Sequence, residues 1–274
     1  MTSEDTSEDI LEREPPDRGA RIAYGSEPQQ FGDLRLPAGA GPYPVVIGVH
    51  GGFWRARYDL IHFGHVCAAL TAAGMATWNI EFRRTGDPGG AWPGTFLDVA
   101  AAADYLRVLA PQYHLDLDRV LAVGHSAGGH LACWLAARPN IAAESPIYTP
   151  DPLSLAGVVA LAGAVDLRRT WALRLSDNAT GLLMGGSPAD YPDRYAAGSP
   201  YDLLPLGVRQ FLLHGTADTT LPLEVSERYV RRASAKGDSA TLLTLPDVGH
   251  FELIDPLSHA WPTVLSMTTA LLGE

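Results

Sequence analysis

Residues 119–129 read Arg-Val-Leu-Ala-Val-Gly-His-Ser-Ala-Gly-Gly. Residues 120–123 are apolar without polar alternation, which predicts a strand covered on both faces, as in a parallel sheet. The run ends in Gly124-His125-Ser126-Ala127-Gly128, too short for anything but a tight turn. Apolar residues then recur at helical spacing over 127–138. A strand passing straight into a helix through a glycine-flanked turn is one half of a strand–helix–strand unit.

Working outward, the same unit repeats. Residues 44–49, 75–80, 156–162 and 209–213 are further short apolar runs with the character of buried strands, and 240–245 is expected to add a later strand. Between and after them, 59–73, 96–110, 223–236 and 258–272 carry apolar residues at helical spacing. The expected fold class is therefore α/β, with a mainly parallel central sheet flanked by helices on both faces. In such sheets ligands bind beyond the carboxyl ends of the strands. Residues 164–205 interrupt the rhythm and are expected to form a small insertion, placed where a lid over the site would emerge.

The bulk numbers narrow the function. A chain of 274 residues with 46% hydrophobic and 19% charged residues fits one large domain. The division expected is an acidic N-terminal arm over 1–22, holding Glu4, Asp5, Glu8, Asp9, Glu12, Glu14 and Asp17, and a single domain over 23–274. A formal charge of −11 argues against nucleic acid, which requires clustered Lys and Arg. No apolar run reaches the roughly 18 to 20 residues of a membrane span, and no basic stretch followed by an apolar one opens the chain. A cytoplasmic location without membrane partners is expected. Cys67 and Cys133 lie in alanine-rich helical patterns and read as reduced, buried thiols.

The turn at 124–128 has the pattern G-x-S-x-G in the strand–turn–helix setting that gives it meaning. There Ser126 projects at the top of the sheet, near a helix N-terminus that favours developing negative charge. Strand 44–49 ends in His50-Gly51-Gly52-Phe53-Trp54. Acyl transfer needs two backbone donors about 3 Å from the developing oxyanion. Ala127 is the expected first donor; Gly52 or Phe53 is the expected second, with Gly51 a close alternative.

A serine hydroxyl needs an imidazole to accept its proton. His125 and His130 lie too close to Ser126 in sequence. His50 belongs to the glycine loop; His62, His65, His114 and His259 fall on helices or their edges; His214 ends a strand and faces a Gly-Thr turn. His250, on the loop after strand 240–245, is the expected base. The expected acid is Asp218, on the loop after strand 209–213. Asp247 is the nearest rival and Asp166 a further one. Phe53, Trp54, Trp92 and His125 are candidate pocket residues, and Trp171 lies in the expected insertion. Arg83 and Arg84 are expected to tether a loop to an acid, with a substrate carboxylate as the alternative.

With these residues in place, the sequence resembles the α/β-hydrolase superfamily along the chain after residue 22, with the triad in its Ser, Asp, His order. His50, Gly51, Gly52 and Trp54 match the HGG-x-W motif of kynurenine formamidase (arylformamidase)-like hydrolases in the esterase/lipase branch. Phe53 stands where lipase-type esterases tend to carry a third glycine. The resemblance implies a serine hydrolase cleaving a small-molecule carboxylic ester, needing neither cofactor nor metal. An amide or formamide is the alternative substrate, and a small peptidase or a non-catalytic binding module is a lesser one. A homo-oligomer is compatible with all of these.

Overall fold

The apolar runs assemble into one eight-stranded sheet in the computed structural model, which describes residues 7–273. The strands are β1 (Ala20–Ala23), β2 (Phe31–Arg35), β3 (Tyr43–Val49), β4 (Ala76–Ile80), β5 (Leu115–His125), β6 (Gly157–Leu161), β7 (Arg209–Gly215) and β8 (Ala240–Leu245). Their spatial order is β1-β2-β4-β3-β5-β6-β7-β8. From β4 to β8 all neighbours pair in parallel, while β1 and β2 add an antiparallel edge.

Each central strand serves two cores, because successive side chains point to opposite faces. Val45, Ile47 and Val49 enter one core with Trp78, Phe96 and Trp134. Val46, Leu121, Val123 and Leu213 enter the other with Phe63, Val66 and Val264. The first core lies under helices α2 (Gly94–Asp104), α3 (Leu106–Tyr113) and α4 (Ala127–Ala137); the second includes α1 (Gly64–Ala72) and α10 (Trp261–Ala270). Every residue of α4 is buried, which explains why its sequence is apolar all round rather than striped. Cys67 and Cys133 are unpaired and buried, one in each core.

The edge strands are absent from the sequence expectation for a physical reason. Their segments, Ala-Arg-Ile-Ala and Phe-Gly-Asp-Leu-Arg, carry charges where a buried strand should be apolar. Arg21 and Asp33 face each other in the β1–β2 register, and the guanidinium donates to both carboxylate oxygens at 2.8 and 2.9 Å. The pairing neutralises an aspartate that is 1% exposed.

The insertion at 164–205 folds as α5 (Leu167–Ala172), α6 (Leu175–Met184), α7 (Pro192–Gly198) and α8 (Pro200–Leu203). Helix α9 (Glu224–Ala235) then links β7 to β8. The N-terminal segment is docked: a 3-10 turn at Ser7–Leu11 buries Ile10 in the second core, and Arg13 grips Asp255 with two bonds of 2.6 and 2.8 Å. Glu4 and Asp5 of the expected arm lie outside the described residues. Among those described, no helix is long and apolar enough to cross a membrane.

Chain order after β3 sends β4 to one side of it and β5 to the other. The loops leaving β3 and β5 therefore diverge, opening a crevice at the carboxyl end of the sheet. The loops of β7 and β8 reach the same edge.

Candidate active site

Ser126 occupies the sharp turn between β5 and α4 with φ +55° and ψ −117°, a conformation strained for a residue with a side chain. Three backbone bonds hold it there: its N–H donates to the Leu161 carbonyl at 2.8 Å, and its carbonyl accepts from His130 and Ala164, both at 3.1 Å. The glycines make the turn possible by close approach. A Cβ on Gly128 would sit 2.0 Å from the Val49 carbonyl oxygen, and one on Gly124 would sit 2.1 Å from the Gly128 oxygen.

A cavity of about 270 Å³ opens over this turn. Ser126 and His250 both line it, with Gly52 and Phe53 from the glycine loop and Leu11 from the N-terminal turn. Among the described residues the Ser126 hydroxyl has no hydrogen-bond partner, and it lines the cavity together with the imidazole.

His250 Nδ1 lies 2.6 Å from Asp218 Oδ2. The other Asp218 oxygen accepts from the Thr220 and Leu221 N–H groups at 2.8 and 2.9 Å. Burial pushes the Asp218 carboxyl upward, but hydrogen bonds from His214, His250 and Leu221 outweigh it and hold the group well below the usual carboxylate range. A carboxylate acceptor requires the proton on Nδ1, which leaves Nε2 as the basic nitrogen. His214 is the residue that sequence reasoning passed over. Its ring is fully buried, with Nε2 2.9 Å from the Leu221 carbonyl and 3.3 Å from Asp218 Oδ2, and Nδ1 2.8 Å from the Ser226 hydroxyl.

Among the described residues, neither rival acid bonds the His250 imidazole. Asp166 caps α5 through the Arg169 N–H at 2.9 Å and meets Arg228 at 3.3 Å. Asp247 sits at φ +57° in the turn before His250, its N–H bonded to Thr216 Oγ1.

Among the described residues, the N–H groups of Gly52, Phe53 and Ala127 find no acceptor. His50 orients one of them. Its Nδ1 donates to the Gly51 carbonyl at 2.8 Å, so in the trans peptide that follows the Gly52 N–H points the opposite way. Nε2 of the same ring meets Glu81 Oε1 at 3.0 Å. Glu81 also accepts from the Leu60 and Phe82 N–H groups, so the loop is tied to the sheet beneath it. Gly51 itself is wedged against the turn, where an added Cβ would meet His125 Nδ1 at 2.9 Å.

The pocket expectations fare differently. Trp54 is buried in the first core, its indole N–H bonded to His130 Nδ1 at 3.2 Å, and it does not reach the cavity. Trp92 packs against Phe96 and lines a separate cavity of about 730 Å³, bounded by Tyr191 and Arg194, that contains neither Ser126 nor His250. Both are corrections: the indole bond to His130 draws Trp54 into the core, and packing on Phe96 sets Trp92 at a different cavity. His125 does line the cavity, but as a wall. Its Nε2 donates to the His250 carbonyl at 3.0 Å and its ring lies 4.4 Å from that of His250. Burial, then the nearby His250, holds it well below the ordinary histidine range, so a neutral ring braces His250. No residue of 164–205 lines the Ser126 cavity; the N-terminal turn contributes Leu11 instead.

A strained serine turn, an imidazole–carboxylate pair and a row of free amides on separate strand ends define the α/β-hydrolase class of site. The chain matches the BD-FAE family over residues 33–232 and belongs to it. It is 29% identical to Esterase LipC of Mycobacterium tuberculosis (strain ATCC 25618 / H37Rv), aligned over 91% of this chain and 67% of that protein. It is 28% identical to the probable isoprenylcysteine alpha-carbonyl methylesterase ICMEL1 of Oryza sativa subsp. japonica, over 86% of this chain and 58% of that one. Against Esterase LipQ of the same Mycobacterium the figures are 24%, 76% and 50%, so the chain spans about half to two thirds of these relatives. Among solved structures, a truncated carbohydrate esterase from gut microbiota superposes with a TM-score of 0.82 at 21% identity, covering 96% of this chain and 100% of that one. The butyrate-bound esterase Est2 of Thermogutta terrifontis gives 0.75 at 20% identity, with 94% of each chain covered. These likenesses establish the fold.

Proposed function

We propose that this chain is a serine carboxylesterase that cleaves small carboxylic esters through an acyl-enzyme, with residues 23–274 as one catalytic domain. The observation that carries the reading is the hydrogen-bonded Asp218–His250 pair opening, with Ser126, on a single cavity. The names of LipC, LipQ and ICMEL1 point the same way.

In this reading Ser126 Oγ attacks the ester carbonyl carbon while His250 Nε2 takes the hydroxyl proton. Asp218 keeps Nδ1 protonated and stabilises the imidazolium that forms. The carbonyl oxygen becomes an oxyanion beneath the N–H of Ala127 and those of Gly52 and Phe53. Collapse breaks the bond to the alcohol oxygen, which leaves with the proton from His250. Water, deprotonated by the same nitrogen, then attacks the acyl carbon and releases acid and Ser126. At about 270 Å³ the cavity lies just below the roughly 300–1,000 Å³ of drug-sized ligand sites, which favours short acyl groups.

A substrate panel tests this. Short-chain aryl esters should be cleaved with higher kcat/KM than the matching aryl formamides, and Ser126→Ala should lower kcat on the esters by about 10³-fold or more. A preference for the formamide would reassign the substrate class, and an active Ser126→Ala variant would remove the mechanism.

A further inference from the structure

The charge around the Ser126 cavity differs in sign from that of the whole protein. The chain carries a formal charge of −11, yet among the described residues no Asp or Glu lines this cavity. Its one arginine is Arg57, from the loop that continues the glycine turn. The other arginines around this crevice are spent. Arg55 donates to the Ser176 carbonyl; Arg83 pairs with Asp98 at 2.7 Å; Arg84 pairs with Asp87 at 3.0 Å and Glu81 at 3.3 Å. These pairings match the tethering role expected of Arg83 and Arg84.

Arg57 has no such partner. Among the described residues no carboxylate comes within 4.0 Å of its guanidinium. Asp59, the nearest acid in sequence, turns a carboxylate oxygen to the Ile61 N–H at 2.9 Å. What Arg57 does touch is Tyr58, with its guanidinium carbon 4.8 Å from the ring centroid. Tyr58 is itself seated on the oxyanion loop, since a Cβ on Gly52 would lie 2.4 Å from the Tyr58 Cβ. The exposed cation thus rests against Tyr58 at the rim of the cavity, beside the oxyanion loop. The two histidines that share the wall, besides His250, add no competing charge: burial, then His50, lowers His62 to about 3, and His125 is held neutral as described.

We propose that Arg57 selects esters bearing a second, anionic group, a carboxylate on the acyl or the alcohol portion, and holds that group at the cavity rim. This rests on the esterase reading of Ser126 and adds the substrate class. A guanidinium offers paired donors that match a carboxylate, and the adjoining ring limits the orientations it must give up on binding. The contact is at the surface, so its effect on rate is moderate and salt-sensitive.

Two ester pairs, each with and without the charge, separate the positions. Monomethyl against dimethyl succinate places it on the acyl side. Sodium 4-acetoxybenzoate against 4-acetoxybenzamide places it on the alcohol side. The readout is the anionic-to-neutral ratio of kcat/KM, followed by pH-stat at constant pH. In at least one pair Arg57→Gln should lower that ratio about fivefold to tenfold, Arg57→Lys should keep part of it, and Arg57→Glu should lower it further. Raising salt to 1 M should shrink the wild-type ratio in that pair and leave the Arg57→Gln ratio unmoved. If the neutral esters are cleaved but both ratios are the same in wild type and Arg57→Gln, this assignment is wrong while the esterase reading survives. If the wild type cleaves none of the four, the esterase reading falls and this one with it.

Discussion

His214 Nε2 lies 3.3 Å from Oδ2 of Asp218, the same oxygen that receives His250 Nδ1 at 2.6 Å. The Asp218 carboxylate is thus flanked from behind by a second, fully buried imidazole, whose own Nδ1 is fixed by Ser226 at 2.8 Å. Since the Leu221 carbonyl can only accept, Nε2 carries a proton. The result is a ring whose Nε2–H donates to Leu221 beside the carboxylate edge.

Replacing His214 with Ala should therefore lower kcat more than it raises KM, because it frees a positioning group and not a binding contact. It should also change the pH dependence of folding. Asp218 is depressed in the folded state, so its contribution is complete above the unfolded value of about 3.9 and is lost as pH falls through the folded-state value. Losing a donor raises that folded-state value. The variant should be less stable than wild type at pH 7, and the gap should narrow only as pH falls through the variant's own folded-state value. Urea unfolding from pH 7 to pH 3 measures this; a gap that widens in acid contradicts it.

The His50 bond to the Gly51 carbonyl makes a second positioning residue testable. His50→Ala should release the peptide that presents the Gly52 N–H and cost about tenfold to a hundredfold in kcat, below the 10²–10³ of losing a donor outright. His50→Asn, whose side-chain amide can replace the Nδ1 donor, should recover part of the loss. Equal kcat values for wild type and His50→Ala would show that the loop holds itself.

How far the sequence alone could reach is clearest at the two ends of the sheet. Gly124 and Gly128 were readable because the turn they flank has one steric solution, and Asp218 and His250 because each follows an apolar run that ends at the active edge. The edge strands β1 and β2 were not, since the Arg21–Asp33 pair replaces the apolar pattern that would reveal them. His214 was read as facing a Gly-Thr turn; the loop folds back so that residues four apart meet, a closure that spacing does not encode. Trp54 matched a motif, yet its orientation was decided by His130, 76 residues away. Leu11 and Arg57 reach the cavity by tertiary placement, and neither carries a local signal.

The docked N-terminal turn yields a third expectation. Ile10 is 1% exposed against Phe63 and Val66, and the next residue, Leu11, walls the cavity. Ile10→Ala should cost about 2–4 kcal/mol if the turn unfolds with the domain. It should also raise the relative kcat/KM for bulkier acyl esters. An unchanged urea midpoint together with unchanged acyl preference would separate this turn from the site.

The thiols offer a simple check of the two cores. Burial pushes Cys67 and Cys133 up to about 12, so almost no thiolate exists at pH 8. Native protein should leave Ellman's reagent unreacted over minutes, and both thiols should titrate once guanidinium unfolds the chain. Fast reaction of either in the native state would contradict its placement.

The most direct test of the whole account is covalent labelling by a fluorophosphonate, followed by intact mass and peptide mapping. Ser126 should take up one equivalent with parallel loss of ester turnover, and His250→Ala should slow that labelling by orders of magnitude. Attachment at another residue, or full activity in protein labelled at Ser126, would contradict the assignment of the reacting oxygen.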